Sequence, residues 1–451
     1  MTNSSILQSI SLVLTLAISI LPKAYTQNTN SGSPSSDSAP AQVPPTWLSD
    51  VVPLAGNVQS YPKDNSSIPT GSLPVIDFNA AGYPSSWKMP PTTSAEVQAV
   101  IRAIDWSKVP NSPVRKAKSN GDLDMSGYDS SDPDCWWSAT GCVQSKNPLI
   151  PPDVSACPQV GDWGLTYDDG PLTESDGGIW AEPHLYDFLA SQNQKAGLFY
   201  IGSNVIAAPA AAQRALASGH TLCVHTWSHP AMTSLSNGSV VAELYWTMKA
   251  IKEITGVTTK CWRPPYGDVD DRVRAIAWQM GLQTILWDED TDDWNMPGEG
   301  GGKLPPSTVD GYFENWITDR KNGKDNKTGH IVLQHELNNS TVLMAEKWLP
   351  RIKQVFNVVP WNQCFNISHP YWETNFVYPI NEQNSYNSTA ETTRSLVNSH
   401  STVTTDNALV SASSSSIIPS ANTVSASSTI STSKSIFYTY IFFIHFLLFP
   451  F

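Results

Sequence analysis

Positive charge is scarce in this sequence of 451 residues. Lysine and arginine number 27 against 40 aspartate and glutamate residues, which gives a formal net charge of -13 and a pI near 5.1. A nucleic-acid-binding protein is expected to carry a basic surface, so this balance argues against that class of partner. A neutral or cationic polymer suits it better. The length leaves room for one large α/β domain with appendages.

Charged residues are absent from the first apolar stretch, Ile6 to Leu21. This run and the small residues near Ala24 and Thr26 predict a secretory signal over residues 1–26. The segment lacks the usual amino-terminal lysine or arginine, which leaves its cleavage point open. A membrane anchor is the less favoured alternative, because the run is short for a span.

Cysteine is sparse as well, with six residues at Cys135, Cys142, Cys157, Cys223, Cys261 and Cys364. An even set is consistent with disulfides formed in an oxidising compartment, although six cysteines allow about 15 pairings and the sequence does not choose. Sequons for N-glycosylation also indicate secretion, and they lie at Asn65, Asn237, Asn326, Asn338, Asn339, Asn366 and Asn387.

Two adjacent carboxylates, Asp168 and Asp169, follow the apolar run from Trp163 to Tyr167 and precede a Gly-Pro break. This order is typical of a buried strand that presents side chains at its C-terminal end, where parallel α/β folds place their chemistry. Neighbouring side chains on a strand point apart, so one carboxylate can hold a cation while the other handles a proton. An isolated segment of this kind would more often be an ordinary turn.

His225 and His229 follow the β-prone run Thr221 to Val224. Their spacing predicts that both imidazoles lie on one side of a helical turn. Two histidines and one carboxylate form a three-ligand set that typically holds zinc or iron and leaves positions for water and substrate. A histidine pair alone is more often a surface or core feature, but its combination with the two carboxylates favours a metal site.

Five short segments occur in order between residues 157 and 364: Thr166–Pro171, His225–His229, Arg263–Gly267, Asp290–Trp294 and Ile331–His335. Together they resemble the motifs of polysaccharide deacetylases of carbohydrate esterase family 4, and within that family those of fungal chitin deacetylases. The resemblance implies metal-dependent hydrolysis of the N-acetyl groups of chitin, with chitosan and acetate as products. It also implies that chitin or N-acetylglucosamine oligomers are the binding partners.

The resemblance implies a role for each matching residue. Asp169, His225 and His229 would hold one divalent metal, zinc or cobalt. Asp168 would be the general base that takes a proton from water, and His335 the general acid that protonates the leaving amine.

Supporting roles follow from the same resemblance. Arg263 would pair with the base, and Asp293 with the acid. Tyr266 would offer its backbone N–H to the oxyanion, while Trp294 and Leu333 would wall the pocket for the acetate methyl group. Ordinary structural roles fit Trp294 and Leu333 nearly as well.

The expected disulfides are a local loop, Cys135–Cys142, and a link between the ends of the catalytic region, Cys157–Cys364. Cys223 and Cys261 would pair or stay buried as thiols.

From Asp162 onward, β-like and helix-like runs alternate, which predicts a parallel sheet with crossover helices. With the resemblance, the fold is expected to be α/β, a distorted (β/α) barrel of seven or eight strands with the five motifs on one face. Asp290 and Asp292 are interpreted as solvated loop residues.

Composition divides the chain into five predicted regions. After the signal peptide come a Pro- and Trp-rich irregular extension (27–150), the catalytic domain (151–385), a disordered Ser/Thr-rich stalk (386–425) and a GPI-anchor signal (426–451) with attachment at Ser425. A tail-anchoring helix is the runner-up for the last region. The mature protein would sit on the outer plasma membrane or in the cell wall. The pair Trp136 and Trp137 would stack on sugars or pack against the catalytic domain.

Two alternatives remain open from the sequence. The substrate could be another acetylated polysaccharide, such as acetylxylan or a peptidoglycan-type glycan, because the motifs do not discriminate. The chain could also be a catalytically silent wall-binding protein on the same scaffold, although the intact metal and acid–base residues argue against it. The oligomeric state stays open.

Overall fold

The computed structural model describes residues 41–54, 60–62, 69–118, 123–173 and 183–380. Within these residues, eight strands form one sheet in which every pairing is parallel. The strands are β1 (Asp162–Asp168), β2 (Gly197–Tyr200), β3 (Thr221–Val224), β4 (Cys261–Trp262), β5 (Gln283–Thr284), β6 (Glu289–Asp290), β7 (His330–Leu333) and β8 (Asn357–Pro360).

The sheet order is β5-β4-β3-β2-β1-β7-β6, and β8 pairs with the first half of β1. No pairing joins β5 to β6 in the described part of the chain, so the barrel is open there. This confirms the expected distorted (β/α) barrel. Strand β6 includes Asp290, which was predicted to be a solvated loop residue.

Two helices precede the first strand in the chain, and the others alternate with the strands or follow them. The helices are α1 (Ala95–Ala103), α2 (Trp137–Thr140), α3 (His184–Ser191), α4 (Gly202–Ala207), α5 (Pro209–Ala217), α6 (Asn237–Thr255), α7 (Asp271–Gln279), α8 (Pro306–Lys321), α9 (Asn339–Ile352) and α10 (Trp361–Cys364). Side-chain caps fix several starts: Ser94, Ser236, Asp270 and Asn338 each accept a backbone N–H of the first turn.

Alternation along β1 decides which side chains reach the barrel interior. Trp163, Leu165 and Tyr167 belong to the large core between sheet and helices. Thr166 and Asp168 point the other way and bond to the buried guanidinium of Arg263. The sheet therefore delivers Asp168 to the interior at the C-terminal edge.

All six cysteines are paired. The structure contains the two expected disulfides, Cys135–Cys142 and Cys157–Cys364, and a third, Cys223–Cys261. The third links β3 to β4. The second joins the segment before β1 to α10, so it ties together the two ends of the barrel.

The described part of the extension packs on the barrel. The guanidinium of Arg274, in α7, binds the carboxylate of Asp153 and donates to the carbonyls of both cysteines of the 135–142 loop. Trp136 is 1% exposed, and the Trp137 ring lies 4.9 Å from that of Trp287. Of the two interpretations of this tryptophan pair, packing is the one observed for Trp136.

Several predictions fall on other parts of the chain. The signal peptide (1–26), the stalk (386–425), the anchor signal (426–451) with Ser425, and the sequons at Asn65 and Asn387 lie outside the described residues. Over the residues that are described, no helix combines the length and apolar character needed to cross a membrane.

The remaining sequons differ in exposure. Asn326 and Asn339 are exposed, and Asn237 and Asn366 are half-buried. Asn338 is 1% exposed, caps α9 and donates its amide to the carbonyl of Glu299. A glycan at Asn338 would have to displace this hydrogen bond, so the sequon stays a prediction.

Candidate metal and catalytic site

The three predicted metal ligands meet at the C-terminal ends of β1 and β3. The Oδ1 atom of Asp169 lies 3.5 Å from Nε2 of His225 and 3.3 Å from Nε2 of His229. One ligand atom from each residue lies within 4.8 Å of the others. The spacing suits a single cation among three ligands.

The backbone that brings the two histidines together is not a helical turn, so that part of the prediction is wrong. Thr226 and His229 have φ angles of 66° and 58°, in the left-handed region that non-glycine residues rarely adopt. The N–H of His229 bonds to Oγ1 of Thr226 at 3.1 Å. The loop reverses sharply, and this reversal returns His229 to the side of His225.

A buried carboxylate holds this loop in place. Oε2 of Glu243, in α6, accepts the N–H groups of Trp227 and Ser228 at 2.8 and 2.9 Å, and Oε1 accepts the Ser228 hydroxyl at 2.6 Å. These bonds offset the cost of the left-handed residues, because a strained loop persists only where its surroundings fix it.

The surroundings of the two histidines leave a ring nitrogen of each available to a metal. Nδ1 of His225 lies 2.8 Å from the carbonyl oxygen of Arg263 and must donate to it, so in the neutral tautomer the lone pair is on Nε2, the nitrogen beside Asp169. Burial lowers the pKa of His229 to about 4, which leaves that ring neutral at pH 7.

The carboxylate of Asp169 completes a set that fits a divalent cation. Burial raises its pKa, but the interactions of the carboxylate with His229, His225 and His335 outweigh burial and hold the pKa well below the usual range. Its buried Oδ1 accepts no hydrogen bond of normal geometry from the described residues. An ionised carboxylate oxygen beside two imidazole nitrogens is the donor set that zinc-type sites use.

Asp168 lies beside this set and is fixed by one bond. Its Oδ1 accepts Nη1 of Arg263 at 2.7 Å, while its Oδ2 lies 3.7 Å from Nε2 of His225. The fully buried Arg263 also donates to Thr166 and to two backbone carbonyls that follow β5, so it cannot rotate away. One carboxylate oxygen is therefore anchored and the other faces the metal ligands.

His335 enters from β7 on the other side of β1. The backbone N–H of Asp168 bonds to the carbonyl of Gln334, which sets the two strand ends next to each other. Nδ1 of His335 lies 2.6 Å from Oδ1 of Asp293, and its backbone N–H donates to Oδ2. Burial lowers the pKa of the ring, but the charge and hydrogen bond of Asp293 outweigh burial and raise it to about 10.

The other predicted site residues lie around these groups. Tyr266 has a φ of 59°, is 64% exposed, and places its hydroxyl 3.2 Å from Nδ1 of His229. Trp294 follows Asp293 and is 45% exposed, whereas Leu333, at the end of β7, is buried. The rim of the site thus carries two exposed aromatic rings, and its wall carries the apolar side chain of Leu333.

Asp290 is not the solvated loop residue predicted above, whereas Asp292 does lie in a loop. Asp290 lies in β6, and burial raises its pKa to about 6. Its Oδ1 accepts the N–H of the half-buried Asp292 at 2.9 Å. Both residues shape the turn that presents Asp293.

Sequence reasoning missed three residues that position the site. Glu243 fixes the histidine loop, Asn204 donates its amide to the carbonyl of Asp169 at 2.7 Å, and Thr166 bonds to Arg263. The one available signal was Glu243, a single acid within an apolar helical run. Asn204 and Thr166 carried none.

The polysaccharide deacetylase family model matches residues 156–285. Chitin deacetylase of Amylomyces rouxii is 45% identical over 313 residues, which are 67% of this chain and 71% of that protein. Chitin deacetylase 2 of Cryptococcus neoformans var. neoformans serotype D is 38% identical over 342 residues, 74% of this chain and 72% of that protein. The chain belongs to the polysaccharide deacetylase family, whose members depend on a metal.

Several solved structures are also similar to this chain. The chitin deacetylase from the fungal pathogen Colletotrichum lindemuthianum is 26% identical, with a TM-score of 0.42, and the match covers 48% of this chain and 92% of that one.

Proposed function

We propose that this protein hydrolyses the N-acetyl groups of chitin and releases acetate to leave chitosan. One observation carries the proposal: a three-ligand metal set lies between a carboxylate anchored by arginine, Asp168, and a histidine paired with aspartate, His335. The likeness to chitin deacetylases of fungi supports chitin as the substrate.

An acetamide demands three things of a catalyst. It is a weak electrophile with a poor leaving group, so hydrolysis needs an activated water, stabilisation of the carbonyl oxygen and a proton for the amine. A divalent cation, zinc or cobalt, held by Asp169, His225 and His229 would lower the pKa of a bound water and polarise the carbonyl.

Asp168 then serves as general base. Its free Oδ2 takes a proton from the water while the water oxygen bonds to the acyl carbon. Arg263 fixes the other oxygen through a charge-assisted hydrogen bond.

His335 serves as general acid. It donates a proton to the amide nitrogen as the C–N bond breaks, and the products are acetate and a free amine. Asp293 orients the ring through Nδ1 and keeps it protonated, so that Nε2 carries the proton that is transferred.

Three further residues would contact the substrate. The backbone N–H of Tyr266 would stabilise the oxyanion, and Trp294 and Leu333 would enclose the acetate methyl group. The positions of two of these residues support this proposal. Tyr266 contacts the metal-ligand histidine His229, and Trp294 follows Asp293, which pairs with the general acid.

The setting of the enzyme is also a proposal. A signal peptide (1–26) would direct the chain to the secretory pathway, and a GPI anchor at Ser425 would hold the catalytic domain (151–385) at the outer plasma membrane, near the wall. The composition of the two chain ends supports this placement.

Acetate release from N-acetylglucosamine oligomers tests the proposal. The full chain, produced in a secreting eukaryotic host, is assayed with and without chelator, with zinc or cobalt added back. Asp168→Asn and His229→Ala are assayed beside it, and bound metal is measured in each. We expect both variants to lose activity, and only His229→Ala to lose metal.

Other outcomes point elsewhere. Release from acetylated xylan but not from chitin oligomers would change the substrate and keep the chemistry. Metal binding without release from any polysaccharide would contradict the proposal and favour a silent wall-binding protein.

A further inference from the structure

An exposed tryptophan lies on the loop Ser85–Met89 of the amino-terminal extension. Trp87 is 52% exposed and has a φ of 59°. Bulky side chains rarely adopt this left-handed backbone, which glycine or asparagine would take with less strain. Neither solubility nor local backbone preference accounts for a tryptophan at this position.

The Trp87 loop is fixed to the loop that carries the metal-ligand histidines. The N–H of Trp87 bonds to Oγ of Ser203 at 2.8 Å, and that hydroxyl donates to the carbonyl of Trp227 at 2.6 Å. The indole N–H of Trp227 donates to the carbonyl of Ser85. Tyr83 stacks on the Trp227 ring with centroids 5.8 Å apart and planes 7° apart.

The same helix end contacts a metal ligand. Ser203 lies in the first turn of α4, and the next residue, Asn204, donates to the carbonyl of Asp169. Trp87 therefore lies at the C-terminal edge of the sheet, one side chain away from the histidine loop. The extension therefore adjoins the candidate site here.

We propose that Trp87 is a stacking platform for one sugar unit of the bound polymer. A neighbouring unit of the same polymer chain reacts at the metal site. The inference rests on the proposed function. An exposed indole face matches the apolar face of a pyranose ring and needs no charge on the ligand. Strain that is retained at a rigidly anchored position is typical of binding sites.

Two variants test this platform. Trp87→Gly removes the ring and relieves the backbone, and Trp106→Ala removes another exposed tryptophan of the extension. Trp106 is 36% exposed and lies beside the C-terminal end of α7, where Asp105 bonds to Gln279, at the opposite edge of the sheet. Both variants are made in the full chain and assayed on the dimer and the hexamer of N-acetylglucosamine.

We expect Trp87→Gly to lower the ratio of kcat/KM for hexamer to that for dimer about three- to tenfold, through KM rather than kcat. Trp106→Ala should leave this ratio unchanged. The midpoint of denaturant unfolding should stay equal or rise in Trp87→Gly, because glycine suits the left-handed backbone. A lower midpoint with equal losses on both substrates would indicate a structural role and overturn the inference.

Binding separates this inference from the proposed reaction. Hexamer binding to the parent chain and to Trp87→Gly is measured by calorimetry, whether or not acetate is released. Weaker binding by the variant supports the platform even where no oligomer is hydrolysed. Equal binding overturns it even where hydrolysis is observed, and leaves the exposed ring to a protein partner.

Discussion

The two ends of strand β7 carry the same pair of side chains with different surroundings. His330 begins the strand and His335 lies just past its end, and each binds through Nδ1 an aspartate 42 residues earlier, Asp288 at 2.8 Å and Asp293 at 2.6 Å. In both rings the aspartate outweighs the effect of burial and raises the pKa, to about 9 in His330 and about 10 in His335.

What lies opposite each pair differs. His330 faces two further acids, Glu289 and Asp325, at 3.8 and 3.3 Å. His335 faces Asp168 and Asp169 at the C-terminal edge, where β1 and β3 bring the metal ligands. A histidine–aspartate pair therefore acquires a chemical role from the sheet edge it occupies and not from its own geometry.

The largest expected effect is a difference in activity between variants of His335 and of His330. His335→Gln should lower kcat by roughly 10² to 10⁴, because it removes the proton donor for the amine. His330→Gln should stay within about twofold of the parent, since His330 contacts no site residue. Acetate release at pH 7 with metal supplied measures both, and comparable losses in the two variants would contradict the comparison.

A smaller effect concerns the alkaline side of the activity profile. The pKa of His335 is raised to about 10, so activity is present at neutral pH and lost as pH rises through this pKa. A bound cation would bring the pKa of His335 below about 10. Asp293→Asn should move this limb toward lower pH, because it removes the charge that favours the protonated ring.

The matched change at the other pair is the control. Asp288→Asn should leave the alkaline limb of kcat/KM in place. A limb that moves equally in both variants would mean that His335 does not set it.

The smallest effect is on stability. The folded-state pKa of His330 lies above its ordinary value of 6.5, so its contribution is fully present below that value and lost as pH rises through about 9. The free energy of unfolding should therefore fall by about 3 kcal/mol more in the parent than in His330→Gln between pH 6 and pH 10. Denaturant unfolding with disulfides intact measures this difference. Parallel curves for the two proteins would rule out the contribution.

Prediction from sequence succeeded where a signal was local. The carboxylates Asp168 and Asp169 follow a strand with an apolar, β-prone pattern, and that pattern placed them at a strand end. It failed between His225 and His229, because a spacing of four residues does not distinguish a helical turn from a loop that passes through left-handed residues. The carboxylate that decides the loop, Glu243, comes from another helix.

By itself the sequence determined the parallel strands and the side chains that are available. These side chains are the metal-binding residue types and two histidines that each have an aspartate at the same separation. Only the tertiary structure decided that the carbonyl of Arg263 fixes the tautomer of His225, and that His335 rather than His330 meets Asp168. The reason is physical. These contacts join residues far apart in the chain, and the pairing of neighbouring parallel strands brings them together.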